Sequence, residues 1–192
     1  NHTASYIAMP AAEGQTEAFA EFLAGAAPIV ADTEPGTLLW FALQAEDTLA
    51  IFDIFVDEEA RNAHFSGAVA AALNQNADAL VAGGWDDGVV ANINNSDVLS
   101  MREPVDLYSA TTATYITLEA APGKGPELAA LLTAAGPIVE ETEPGTLFWA
   151  ALQIDETSFA IFDIFTNNAG REAHFAGQVA GLLKERAAEL VA

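Results

Sequence analysis

Apolar positions along the chain change period several times, and then the whole succession begins again. Tyr6–Met9 (YIAM) is a short apolar run of strand length, followed by a turn at Gly14. From Gln15, residues Phe19, Phe22, Leu23, Ala26, Ile29 and Val30 recur at intervals of three and four, which predicts an amphipathic helix with one buried face. Pro28 lies inside that pattern and predicts a kink or a division into two pieces. Glu34-Pro35-Gly36 ends the helix as turn chemistry. Thr37–Leu43 and Leu49–Val56 are strand-like runs around a polar Glu46-Asp47 turn and predict an antiparallel hairpin. Asp57-Glu58-Glu59 reads as a helix N-cap with acids in the first turn, opening one helix through Phe65, Val69, Leu73 and Leu80. Beyond Gly83-Gly84, the segments Gly88–Asn92 and Val98–Met101 predict a fourth strand with an irregular middle, and Glu103–Ser109 links that strand to the second half of the chain.

The second half repeats this order. Residues 28–44 read PIVADTEPGTLLWFALQ and residues 137–153 read PIVEETEPGTLFWAALQ, identical at 13 of 17 positions. AIFDIF, then Arg, then AHF follows in each copy, at Ala50–Phe65 and Ala160–Phe175. YITL at Tyr115–Leu118 matches YIAM, and Asn167-Asn168 takes the N-cap place of Asp57. A repeat this long is a duplicated domain, not a short-period solenoid. Each copy has the order β-α-β-β-α-β, although the second ends at Ala192 before its fourth strand, which is expected to be missing. The expected organisation is a first repeat over 1–103, a linker over 104–112 and a second repeat over 113–192.

In Ile51-Phe52-Asp53-Ile54-Phe55 both alternating faces are apolar, as in a strand covered on both sides. Helices cover one face, and the sheet of the duplicate is expected to cover the other. The predicted fold is therefore α+β: two ferredoxin-like repeats forming an intramolecular dimeric α+β barrel.

Composition narrows the chemistry. There is no cysteine, which removes thiolate nucleophiles, disulfides and Cys-based metal sites. Twenty-eight acidic residues against six basic ones give a net charge of −22, a surface that repels phosphate backbones and disfavours nucleic acid. No apolar run reaches about 18 residues, so no membrane span is predicted. The expected location is cytoplasmic; the chain starts at Asn1, so a trimmed N-terminus and a removed export signal stay open.

TEPGTLxW, then AIFDIF, then RxAHF resembles the antibiotic biosynthesis monooxygenase (ABM) domain family over nearly all of both copies. The resemblance implies the dimeric α+β barrel and, in each copy, a pocket where a small aromatic molecule such as a quinol reacts with O2 without flavin, metal or other cofactor. It also implies a pseudo-dimer within one chain, with further homo-oligomers open. Haem-degrading relatives place an Asn on the first strand and a Trp where this chain has Phe55 and Phe165. Here the first strands hold no Asn, so haem binding is the weaker expectation.

Candidate residues emerge from position. His64 and His174 lie on the helix facing the sheet, where an imidazole could accept a phenolic proton; the alternative is a packed helix histidine. Asp53 and Asp163 stand among apolar strand residues, where a lone carboxylate is costly. Parity turns Asp53 to the side of Phe55 and His64, so an orienting Asp–His pair is expected, against a carboxylate held by Thr, Tyr or backbone donors. Trp40, Phe55, Trp149 and Phe165 are expected to hold a planar ring, or else to be core. Arg61 and Arg171 could meet an anionic group or pair within the first helical turn. Trp85 is expected to pack locally, and no metal site is predicted. The functional expectation is a cofactor-independent monooxygenase of a quinol or polyphenol; the alternative is a non-catalytic binding or structural barrel.

Overall fold

The computed structural model of the protein describes residues 2–192. The chain forms two compact units, Asn1–Asn95 and Ser96–Ala192. The first contains β1 (Thr3–Pro10), α1 (Thr16–Thr33), β2 (Thr37–Ala45), β3 (Thr48–Phe55), α2 (Glu58–Phe65) and α3 (Ala68–Leu80). β4 (Ile93–Met101) carries the division between units inside it. The second unit continues with β5 (Thr112–Glu119), α4 (Gly125–Thr142), β6 (Thr146–Gln153), β7 (Ser158–Phe165), α5 (Asn168–Phe175) and α6 (Gln178–Leu190). The fold class is α+β, with antiparallel sheets.

In the first unit the strand order is β2-β3-β1, and Asp53 stands opposite Ser5 on one side and Trp40 on the other. In the second unit it is β4-β6-β7-β5, and Asp163 stands between Thr114 and Trp149. Alternate residues of β3, Leu49 and Ile51, join Phe19 and Leu23 of α1 and Leu73, Ala77 and Leu80 of α3 in one core. Phe52 and Ile54, on the opposite face of the strand, are fully buried as well, as the parity of the sequence requires. Leu128, Leu132 and Val139 of α4 pack with Trp149, Phe159, Ile161, Val179 and Leu190 in the second core.

Three local expectations change. α1 and α4 run unbroken through Pro28 and Pro137. The helix read through Phe65 to Leu80 is two helices, because the chain turns extended at Gly67 (φ −87°, ψ −177°) before α3 begins; the second copy does the same at Gly177. Gly88–Asn92 is not strand: Gly84–Val89 forms a π-helical turn and Val90–Asn92 a 3-10 turn, and β4 begins at Ile93. The caps are as read: Asp57 accepts from the Ala60 amide at 2.8 Å and Asn167 from the Gly170 amide at 3.0 Å. No helix among the described residues is long and apolar enough to cross a membrane.

Candidate functional site

Each unit holds a buried histidine between two carboxylates. The Glu34-Pro35-Gly36 turn closes with the Thr37 amide on the Glu34 carbonyl at 3.1 Å and continues with the Val56 amide on the Gly36 carbonyl at 2.9 Å. Gly36 is needed for space and not for backbone freedom: a Cβ there would stand 2.6 Å from the Cβ of Ala60, so only glycine lets the turn rest on the first turn of α2. In the second unit a Cβ on Gly145 would stand 3.1 Å from the Cα of Gly170. That contact brings the glutamate of the turn to the histidine at the end of the short helix.

His64 Nδ1 lies 2.5 Å from Glu34 Oε1, and His64 Nε2 lies 3.2 Å from Asp53 Oδ2. His174 Nδ1 is hydrogen-bonded to Glu143 Oε1, and its Nε2 lies 3.0 Å from Asp163 Oδ2. Hydroxyls complete both carboxylates. Ser5 and Thr114 donate to Asp53 and Asp163; Thr37 and Thr146 donate to Glu34 at 2.9 Å and Glu143 at 3.0 Å. Phe55 and Phe165 flank the imidazoles at ring distances of 5.2 and 5.4 Å. Both histidines are only 5% exposed, and both aspartates are fully buried.

Burial alone would lower the His174 pKa. The hydrogen bonds to Asp163 and Glu143 and the charges of those groups outweigh it and push the pKa up to about 9. His64 is shifted the same way by Asp53 and then Glu34, against its own burial. Each imidazole has Nδ1 on a glutamate and Nε2 within ion-pair range of an aspartate, at the C-terminal end of a helix whose dipole favours a positive charge there.

The structure joins Asp53 to His64 and Asp163 to His174; it also gives Asp163 the threonine hydroxyl of the alternative, from Thr114, and gives Asp53 a serine hydroxyl, from Ser5, that the alternative did not include. Glu34, read from sequence as a turn residue only, and its counterpart Glu143 are the second carboxylates. A signal for them was present. Glu34 and Glu143 are unchanged between copies, while Ala31-Asp32 becomes Glu140-Glu141 just before them. The aromatic residues expected to hold substrate behave differently. Trp149, Phe55 and Phe165 are completely buried, and Trp40 packs half-buried on the first-unit core. The indole N–H groups of Trp40 and Trp149 are buried and have no hydrogen-bond partner among the described residues.

A pocket of about 330 Å³ in the second unit is lined by Glu143, Pro144, Gly145, Gly170, His174 and Gly177, among others, and by neither Trp149 nor Phe165. Among the described residues the second carboxylate oxygens of Glu143 and Glu34 are buried without a hydrogen-bond partner, and so are Asp53 Oδ2 and Asp163 Oδ2, which stand only in ion-pair range of the imidazoles. Gly177 leaves room beside Glu143, since a Cβ there would stand 3.1 Å from Glu143 Oε2. Among the described residues no group of three His, Cys, Asp or Glu side chains is arranged to hold a metal ion.

No protein-family model matches the chain, and no curated protein matches it. Solved structures do. A putative monooxygenase from Fusobacterium nucleatum is 16% identical, matching all of this chain and 88% of its own with a TM-score of 0.83. A putative monooxygenase from Lactobacillus acidophilus is 11% identical, covering 99% of this chain and 89% of its own, with a TM-score of 0.78. An anthrone oxidase-like protein is 10% identical over the whole of this chain and 86% of its own, with a TM-score of 0.59. At these identities the likeness is one of fold alone.

Proposed function

We propose that the protein is an ABM-type monooxygenase, independent of flavin, haem and metal, acting on an electron-rich hydroxyaromatic molecule such as a quinol or anthrone. The observation that carries this reading is the open bonding capacity of Glu143 Oε2 beside a pocket lined by the same glutamate and by His174. With both imidazole nitrogens engaged by carboxylates, the proton-accepting role falls to the glutamate, with the histidine as a fixed cation behind it and the aspartate orienting the ring. Glu34, His64 and Asp53 repeat the arrangement in the first unit.

In the proposed reaction a substrate hydroxyl transfers its proton to the glutamate. The imidazolium, on the other carboxylate oxygen, offsets the charge that the aryl oxide brings into the pocket. The electron-rich aryl oxide reduces O2, and recombination forms a carbon–oxygen bond to give a peroxide. Loss of water leaves an oxidised ring carrying one new oxygen, while the second oxygen atom leaves in the water. For a quinol the products are a hydroxyquinone and water, so the substrate supplies both electrons.

Oxygen uptake over a panel of hydroquinones and hydroxyanthrones tests this. Uptake above the uncatalysed rate is expected, with a loss of about 100-fold or more in the doubly substituted Glu34→Gln/Glu143→Gln protein, the range for removal of a general base. No uptake with any member of the panel would reject it.

The pairing of both imidazole nitrogens with carboxylates favours a second reading, in which each Glu–His–Asp group is a clip fastening the turn before β2 or β6 to the following strand and helix. A protein of that kind would lose melting temperature in the same variant and consume no oxygen in either form.

A further inference from the structure

The pocket between the Glu143-Pro144-Gly145 turn and the start of α6 is lined by eleven residues, of which eight have an identical counterpart in the first unit. The three exceptions are Gly170, Ala176 and Gln178, which correspond to Ala60, Ser66 and Ala68. Glu143 Oε2 and Glu34 Oε2 are both buried without a hydrogen-bond partner among the described residues, so the open acceptor does not by itself distinguish the units. The exceptions do. A Cβ on Gly170 would stand 2.9 Å from the Gly145 carbonyl oxygen, closer than ordinary van der Waals contact. Ala60 carries that Cβ against Gly36, and so fills the space between turn and short helix that Gly170 leaves free. Gln178 puts an exposed carboxamide on the rim of the pocket, able both to donate and to accept, where Ala68 offers neither. Ser66 and Ala176 are both exposed and differ by one hydroxyl. At about 330 Å³ the second-unit pocket is of the size that holds a small molecule.

We infer that the substrate is taken in the second unit and that Gly170 and Gln178 select it: an aromatic ring with one hydroxyl donating to Glu143 Oε2 and a second, neutral oxygen for the Gln178 carboxamide at the rim. The inference rests on the oxygenase reading given above and narrows it to one site and one substrate class. A ring with two neutral oxygens engages both groups, whereas a monophenol engages only the glutamate. In the first unit Glu34, His64 and Asp53 keep the same mutual bonds, and Ala60 and Ala68 leave that group its fastening role.

The test follows amide chemical shifts of the full 192-residue chain during titration with hydroquinone under nitrogen, which reads binding without turnover. Shifts are expected in residues 142–146 and 170–178, with much smaller ones in residues 33–37 and 60–68. Gly170→Ala should abolish them. Gln178→Ala should raise the Kd for hydroquinone about three- to tenfold, the effect of one lost hydrogen bond, and leave that for phenol unchanged. The reciprocal Ala60→Gly/Ala68→Gln protein should gain shifts in residues 60–68, which a merely structural role for those positions would not produce. Equal shifts in both units of the wild type, shifts confined to the first unit, or none in either overturn the inference. So does wild-type affinity for hydroquinone in Gln178→Ala, or no gain in the reciprocal protein. Oxygen uptake by the same proteins in air separates this inference from the reaction it rests on. Second-unit shifts without uptake reject the oxygenase reaction and leave the binding assignment standing, while uptake with equal shifts in both units does the reverse.

Discussion

Strands β2 and β6 lie in two sequence copies that agree at 13 of 17 positions, yet one is half-exposed and the other is sealed. Trp40 retains partial exposure, while its counterpart Trp149 has none. Leu38 is 44% exposed and Leu147 is 4%. Local sequence explains neither difference. Both strands follow the same turn and pair with matching strands, Trp40 opposite Asp53 and Trp149 opposite Asp163. What differs is the neighbour on the far edge: β4 lies along that edge of β6, and no described strand lies along that edge of β2. Residue burial in a sheet is thus set by cross-strand company as much as by the hydrophobicity of the strand itself.

The largest expected effect tests that contrast at the tryptophans. Trp149→Ala empties a fully enclosed site and should cost about 3–5 kcal/mol. Trp40→Ala, at a site already open on one side, should cost roughly half as much, because a partly exposed site loses less burial and relaxes more readily. Urea unfolding of the two variants gives both numbers, and equal losses would mean that β2 is covered in solution. Arg102→Ala comes next, at about 1–3 kcal/mol, since it strips a donor from the buried Thr146 carbonyl. Thr37, the counterpart of Thr146, should show no change in exchange in that variant.

The histidine clips sharpen the comparison through pH. His174 titrates at about 9 in the folded chain and at about 6.5 when unfolded. A raised folded value means that the cation stabilises the fold fully below about 6.5, and that this contribution disappears as pH rises through about 9. Stability in urea should therefore fall across that window, and His174→Gln should flatten the slope. His64 is shifted in the same direction, so the double variant should flatten it further. A wild-type profile that is flat from pH 6.5 to 9 and rises only below about 6.5 would mean that the imidazoles are neutral in the folded protein.

Much of this was legible in the chain because it depends on local order. The hairpins, the Asp57 and Asn167 caps, and the placing of Asp53 towards His64 come from strand parity and capping chemistry, which act over a few residues. Asp53 in an apolar strand was the strongest single clue to a buried site, since a carboxylate there has to be compensated. Glu34 was missed because its backbone role in the turn sufficed to explain it, and the 30-residue reach to His64 is a tertiary fact. The break before α3 was missed for another reason: apolar spacing continues in register across Ser66-Gly67, so periodicity alone cannot show that the helix stops. The assignment of Val98–Met101 to β6 likewise has no local signal, since a strand sequence does not state its partner.

The smallest expected effect is the most demanding check on the open edge. Leu38→Ser replaces an apolar residue that is 44% exposed, so an isolated chain should change by no more than about 0.5 kcal/mol. Leu147→Ser makes the same chemical change where the side chain is enclosed, and there the lost burial and a hydroxyl in an apolar setting should cost several times more. The pair needs no assumption about activity, only two denaturation curves at low protein concentration. If Leu38→Ser is nearly neutral in dilute solution, the far edge of β2 is open there. If it is costly already in the dilute chain, something covers β2 there, and the contrast between β2 and β6 does not hold in solution.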